Sequence, residues 1–321
     1  KDQINLNEGE QFLVLADDIL DPNIAEECFK AGLSVSERTQ LMFMKNKPRP
    51  EQPAHLDPAV TEAMKTSDAV LTVASSLIAQ TPECHEAQEE GTRVLMAEPG
   101  SRTQFLINGL INIEYEKMLD NVSNFCDYLK DEKVHVTSEA GTDLTFETGD
   151  RPVEVSSGDV EEPGELTWFP GAMANVSPLE ETINGTLAVD GPLVPIGEGE
   201  EPVMIELEKG VITKIYGGDF ANKWRNWIRS LDDEVVDHLC HFSVGFNPRA
   251  EMHASAIMES ERVQGASTIG FGRCYDRLQS NIEGGDYHVD VILKSPTIEV
   301  GGKTLVESNS FAEEFGFEQI V

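Results

Sequence analysis

The chain has 321 residues, 40% of them hydrophobic, enough for one large domain or two ordinary ones with sizeable cores. Its 58 acidic residues outnumber 24 basic ones and leave a formal net charge of -34, which argues against binding to nucleic acid or to an anionic membrane. The acidic residues are mostly dispersed rather than gathered in a tail, which fits a soluble protein from a salty habitat and equally one with a merely acidic surface; stability is expected to rise with ionic strength.

The first third alternates strands and helices. Phe12–Ala16 is a short apolar run, and Pro22–Ala31 reads as a helix closed by Gly32. Leu41–Met44 is a second strand, Pro58–Thr66 a helix, and Ala69–Ala74 a buried strand. A helix closing over Glu86–Gly91 precedes a strand at Val94–Ala97. This rhythm predicts an α/β domain with a parallel sheet covered by helices. No GxGxxG follows the first strand, so a dinucleotide site has no support. Thr103–Leu129 reads as a mainly helical linker, which gives an α/β domain over residues 1–130.

Beyond it the pattern becomes that of antiparallel strands, over Val134–Glu147, Val153–Ser156, Gly185–Val189, Val203–Leu207 and Val211–Ile215. Gly164–Pro170 reads as a turn-rich approach to GAMANVSP, and Phe220–Leu231 as a helix carrying Trp224 and Trp227. Residues 131–321 are therefore expected to form a mixed α+β domain, the one bearing the metal and the chemistry.

Five cysteines, Cys28, Cys84, Cys126, Cys240 and Cys274, are odd in number and none are paired at close metal-site spacing. That fits a reducing cytoplasm. With no signal-peptide pattern and no run of about eighteen apolar residues, the chain is expected to be neither exported nor membrane-spanning.

The chemistry-bearing residues come late. In a strand from Tyr287 to Leu293, His288 and Asp290 share a face and can grip one cation or simply hydrogen-bond to each other. His241 opens HFSVGFNP, where His241, Ser243 and Gly245 share a strand face; a hydrogen-bonded imidazole at a strand end is the plain alternative. Two imidazoles and one carboxylate make the facial triad of mononuclear non-haem Fe(II) enzymes, while zinc accepts the same donors. His135, between Val134 and Val136, reads as an ordinary strand residue, and His55 lies in a Pro-rich loop.

Several stretches resemble the aminopeptidase T family of metalloaminopeptidases: HFSVGFNPRAE, ERVQGASTIGFG from Glu261, NIEGGDYHVDVIL, FPGAMANVSPLEETINGTLAVDG from Phe169, and TPECHEAQEEGTRVLMAEPG. That family holds two metals, but Met173 and Thr268 stand where it has a glutamate and a histidine, and His241 where it has a glutamate. A thioether and a neutral hydroxyl are poor ligands for a hydrolytic two-metal centre. The remaining set, His241, His288 and Asp290, resembles the 2,5-dihydroxypyridine 5,6-dioxygenase branch of the superfamily, which implies one Fe(2+), a small hydroxylated aromatic or N-heteroaromatic substrate, and dioxygen. The resemblance also implies His85 and Glu261 as groups near the metal that move protons or orient ligands; His253, which follows the GFNPRAE turn, and His238 are weaker candidates, and Arg249, Trp168 and Phe169 further ones around the pocket. A two-metal aminopeptidase and a non-catalytic small-molecule binding protein are the alternatives.

The same resemblance implies a homo-oligomer. Light scattering at low and high salt should show at least a dimer, with the high negative charge loosening it at low salt; a monomer in both conditions contradicts this.

Overall fold

The computed structural model describes residues 3–45, 55–74, 78–79, 81–97, 113–254, 256–274 and 276–320. Its contacts divide the chain into two compact units, Lys1–Leu106 with Ser156–Gly171, and Ile107–Val155 with Ala172–Val321.

The first unit starts with β1 (Phe12–Asp17), α1 (Pro22–Leu33), β2 (Thr39–Met44), α2 (Pro58–Lys65), β3 (Ala69–Val73), α3 (Pro82–Glu89) and β4 (Arg93–Met96). All three helices start the same way, with Asp or Thr at the N-cap and Pro at the first helical position: Asp21-Pro22, Asp57-Pro58 and Thr81-Pro82. Proline lacks a donor where none is needed, and its fixed φ suits the first turn. The Thr81 hydroxyl accepts from the Cys84 amide at 3.2 Å, which sets the start of α3 at Pro82, ahead of the Glu86–Gly91 stretch that closes it. The strands run parallel in the order β2-β1-β3-β4, as the βα rhythm predicts.

The single boundary expected near residue 130 differs from what the contacts show. Of the expected helix Thr103–Leu129, residues 103–112 lie outside the described residues; the rest forms α4 (Tyr115–Leu129). Its buried face, Met118, Val122, Phe125 and Leu129, belongs to the core of the second unit. There Phe125 meets Phe246 and Phe311 edge-on, with ring centroids 5.6 and 6.0 Å apart. The second unit continues with β5 (Lys133–Thr137), β6 (Asp143–Glu147) and β7 (Val153–Ser156). The chain then returns to the first unit for β8 (Leu166–Trp168), which pairs parallel with β4. That stretch reads as turns because it is three residues long and set between Gly164 and Pro170, yet the Phe169 amide donates to the Met96 carbonyl at 2.7 Å.

After β9 (Met173–Val176) come β10 (Asn184–Val189), β11 (Val203–Glu208), β12 (Val211–Tyr216), α5 (Gly218–Ser230), β13 (Leu239–Gly245), α6 (Ile257–Glu261), β14 (Ser267–Gly272), β15 (His288–Leu293), β16 (Thr297–Val300), β17 (Lys303–Glu307) and β18 (Ser310–Phe311). An eight-stranded sheet has the order β12-β11-β10-β6-β5-β16-β17-β18, and a five-stranded sheet the order β15-β14-β13-β9-β7. Their apolar faces, together with α4 and α5, form one core in which Trp224, Phe125, Phe146, Phe242 and Phe271 are fully buried. All seven residues of β13 are buried, so both faces of this strand are covered. Among the described residues no helix is long and apolar enough to cross a membrane.

The loop leading into β15 is tied down by one carboxylate. Glu180 accepts from Arg151 Nη2 at 2.8 Å, from Ser280 Oγ at 3.0 Å and from the Asn281 amide at 2.8 Å. Burial would raise its pKa, but the backbone amides, Ser280 and Arg151 together hold it below the usual glutamate range. A lowered carboxylate stabilises above its unfolded pKa of about 4.3 and loses that contribution as the pH falls through its folded value. Glu180→Gln should therefore cost about 2–3 kcal/mol at pH 7, the scale of hydrogen bonds to a charged group, and the deficit should shrink in acid. Chemical denaturation at pH 7 and pH 3 checks this; an equal deficit at both contradicts it.

Candidate metal centre

The five-stranded sheet places four strands so that one face collects polar side chains. Directly opposed residues in antiparallel strands point to the same side. His241 pairs with Gly270, and Gly270 pairs with Asp290; Ser243 pairs with Thr268, and Gly272 with His288. His241, Ser243, Asp290 and His288 thus share a face, as the period-two reading of both strands expects.

Two backbone features bring the donors together. Gly270 leaves a space that the His241 ring fills: a Cβ built there would lie 2.2 Å from His241 Nε2. The pairing of β13 with β14 also shifts between Leu239 and His241, which leaves Cys240 as the extra residue of a bulge. Because the bulge breaks the alternation, neighbours Cys240 and His241 both reach His288. Cys240 Sγ lies 3.7 Å from His288 Nδ1, and His241 Nε2 lies 3.2 Å from His288 Nε2.

Three atoms form a near-equilateral triangle. His241 Nε2 is 3.2 Å from His288 Nε2 and 3.3 Å from Asp290 Oδ1, and His288 Nε2 is 3.1 Å from the same oxygen. The imidazoles stack nearly parallel, 11° between planes and 5.1 Å between centroids. Two donors each about 2.1 Å from one ion lie about 3.0 Å apart at a right angle and about 3.4 Å apart at a tetrahedral angle. The triangle falls between these, so the donor set fits one ion of either preference.

The far sides of both rings are held. His288 Nδ1 lies 2.7 Å from the Arg273 carbonyl, which only accepts, so Nδ1 carries a proton and Nε2, facing His241 and Asp290, is the nitrogen turned to the metal position. His241 Nδ1 meets Ser243 Oγ at 3.0 Å. Burial alone would lower the His288 pKa, but the charge and hydrogen bond of Asp290 outweigh it and raise the value to about 9. Burial would raise that of Asp290, but His288 and His241 hold it far below the usual carboxylate range. Without a metal the pair is therefore charged at neutral pH, and a divalent cation must displace a proton to bind.

Cys240, His241 and His288 also offer donor atoms within 4.8 Å of one another, a group able to hold a metal ion. This overlaps the triangle but differs from it. Cys240 Sγ approaches His288 on the Nδ1 side, where the Arg273 carbonyl already requires a proton. The tighter set is the one with Asp290. Cys240 gave no signal in the sequence, since its approach depends on the bulge; Gly270 stands in STIGFG but shows its role only in the fold.

His85 is exposed on α3 of the first unit. The Glu261 carboxylate is 3.0 Å from Arg262 Nη1, and His253 is half-buried, its amide donating to Ser260 Oγ at 2.9 Å. His238 pairs with its neighbour Asp237 at 2.9 Å, and the Arg249 amide donates to Asn247 Oδ1 at 2.8 Å. Trp168 and Phe169 pack against cores of the first unit. His135 lies between Asp143, 2.9 Å away, and Glu299, 3.2 Å away, as befits a strand residue.

The chain pairs a parallel α/β unit with an antiparallel unit that carries two imidazoles and a carboxylate on one sheet face, a donor set able to hold a divalent cation. The chain belongs to the NicX family, 2,5-dihydroxypyridine 5,6-dioxygenase, whose family model matches residues 2–313. It is similar to the 2,5-dihydroxypyridine 5,6-dioxygenase of Pseudomonas putida KT2440, 28% identical over 250 residues that make up 76% of this chain. That match spans 65% of the relative's length, just under two thirds. A solved structure of 2,5-dihydroxypyridine dioxygenase from the same organism shares the fold, with a TM-score of 0.79 at 22% identity over 95% of this chain and 92% of that one. Wild-type AmpT from Thermus thermophilus does so more distantly, with a TM-score of 0.66 at 16% identity over 97% and 96% of the two chains.

The two overlapping donor sets make opposite forecasts. Asp290→Asn and Gly270→Ala should each weaken metal binding by more than about 100-fold, beyond the range for groups that only support ligands. Cys240→Ser should keep the metal. Metal analysis after anaerobic reconstitution checks this; retention by Asp290→Asn with loss by Cys240→Ser would reverse the assignment.

Proposed function

We propose that this protein is a mononuclear non-haem Fe(II) dioxygenase that opens the ring of a small hydroxylated aromatic or N-heteroaromatic, such as 2,5-dihydroxypyridine. The triangle of His241, His288 and Asp290 carries this reading, together with membership of the NicX family. A ferrous ion held by those three side chains would leave neighbouring positions for a chelating ring and dioxygen and would let electrons pass between them. Both oxygen atoms enter the product and the ring supplies the electrons, so no external reductant is required.

The protein contributes position and charge. Asp290 supplies one negative charge in a nearly buried site, its side chain only 12% exposed. The Arg273 carbonyl and Ser243 fix the ring planes, so the two Nε2 atoms face one point without reorganising. The low exposure of His241 and His288, 8% and 5% at the side chain, limits water around the donors. His85 and His253 are our candidates for proton transfer. Glu261, already neutralised by Arg262, suits orienting a neighbour better than taking a proton.

A second metal ion has little to bind on this face. The next positions along it, Met173, Asn175, Thr268 and Ile292, offer a thioether, a neutral amide, a hydroxyl and an alkyl group, none of them an anionic ligand. This disfavours the aminopeptidase reading. We place the protein in the cytoplasm, where its five cysteines, none of them in a disulfide, would stay reduced.

The test is an anaerobic screen of dihydroxypyridines, hydroxybenzoates and aminophenols with the ferrous form, followed by air. The expected result is loss of ring absorbance with about one dioxygen consumed per ring and about one iron per chain. Two tightly bound zinc or cobalt ions with hydrolysis of leucyl peptides, or oxygen uptake that needs 2-oxoglutarate and releases succinate, would overturn it.

A further inference from the structure

Four buried side-chain oxygens among the described residues have no hydrogen-bond partner: Glu83 Oε2, Ser177 Oγ, Ser267 Oγ and Thr268 Oγ1. Buried polar groups are almost always paired, and an orphan asks for an explanation. Glu83 belongs to the first unit, where its other oxygen meets His55. Ser267 alternates with Thr268 and points to the opposite face of the sheet. Ser177 lies just past the end of β9, close to the Cys274 thiol.

Thr268 is different. It is 1% exposed and pairs with Ser243 on one side and Ile292 on the other. Ser243 Oγ touches His241 Nδ1, so Thr268 lies on the face that carries the metal donors. The next residue on that face of β14 is Gly270, a two-residue step of about 6.8 Å away. Glycine has no side chain there, so nothing from β14 stands between the Thr268 hydroxyl and the triad. Met173, on β9 opposite Gly245, and Ile292 add apolar neighbours on the same face.

We propose that Thr268 is a substrate-positioning residue, its hydroxyl hydrogen-bonding a ring oxygen of the hydroxylated aromatic bound at the triad. This rests on the ring-cleaving reading above. A hydroxyl both donates and accepts, so it suits a ring hydroxyl in either protonation state. A ring without that oxygen would leave the hydroxyl unpaired again, and sites built this way reject such analogues.

Thr268→Val keeps the shape and removes the hydroxyl, and Thr268→Ser keeps the hydroxyl. The metal-free Val variant should melt no lower than wild type, because an unpaired polar group has been removed, and iron content should be unchanged in both variants. Anaerobic calorimetry with 2,5-dihydroxypyridine should show the ferrous Val variant binding about tenfold more weakly, the scale of one lost hydrogen bond, with KM raised more than kcat is lowered. Thr268→Ser should come within about threefold of wild type, less than the loss of one full hydrogen bond. Equal binding and KM in Thr268→Val, an equal loss in both variants, or loss of iron in Thr268→Val would each overturn the assignment while wild type still cleaves rings. If wild type neither binds nor cleaves any ring of the screen, the ring-cleaving reading fails and the role of Thr268 fails with it.

Discussion

The His241 imidazole lies against the backbone of β14 because residue 270 has no side chain. Any Cβ there would lie 2.2 Å from Nε2 and push the ring away, so the meeting of three donor atoms depends on one glycine. The bulge at Cys240 is the second constraint, because it sets the register at which His241, rather than its neighbour, faces Gly270. From there the geometry propagates by ordinary sheet rules: Gly270 faces Asp290, Gly272 faces His288, and the pleat brings both side chains to the same side. A ligand set drawn from two strands on either side of a glycine-bearing strand is held by backbone hydrogen bonds rather than by flexible loops. Such rigidity suits a site that must not reorganise when it binds.

Charge follows the same logic. A buried carboxylate beside two imidazoles is stabilised only if at least one ring is protonated or a cation replaces that proton. Asp290 and His288 show this pull in opposite directions, one held low and the other raised. The site is therefore poised for a cation despite its burial, and this local balance is distinct from the net charge of -34. The surface charge governs solubility and association, whereas the site depends on neighbours within about 4 Å, where Coulomb energies in a low-dielectric surrounding are large.

Much of the fold was legible because its signals are local. Apolar runs marked the parallel strands, and the helices at Pro22 and Pro58 were placed between them, while the Thr81-Pro82 start of α3 was missed. His288 and Asp290 fell on one face by alternation alone, and His241 followed from the same rule. What escaped was non-local. The return of residues 156–171 to the first unit depends on the pairing of β8 with β4, and a three-residue strand between Gly164 and Pro170 carries no period of its own. α4 read as a linker because an amphipathic helix does not say which core it will cover. The contact of Cys240 with His288 requires a bulge that only the pairing of β13 and β14 reveals. The role of Gly270 requires knowing which ring crosses it, and the orphaned hydroxyl of Thr268 requires knowing that nothing reaches it. His85 and Glu261 were read from resemblance, and His253 from its place after the GFNPRAE turn.

The central claim is that one ion is held by His241 Nε2, His288 Nε2 and Asp290. Anomalous diffraction at the iron edge, from crystals of the chain reconstituted with Fe(II) under nitrogen, addresses it most directly. The account predicts a single peak per chain within about 2.1–2.2 Å of those three atoms, with Cys240 outside bonding distance. Two peaks, or one peak bonded to Cys240 with Asp290 turned away, would contradict it.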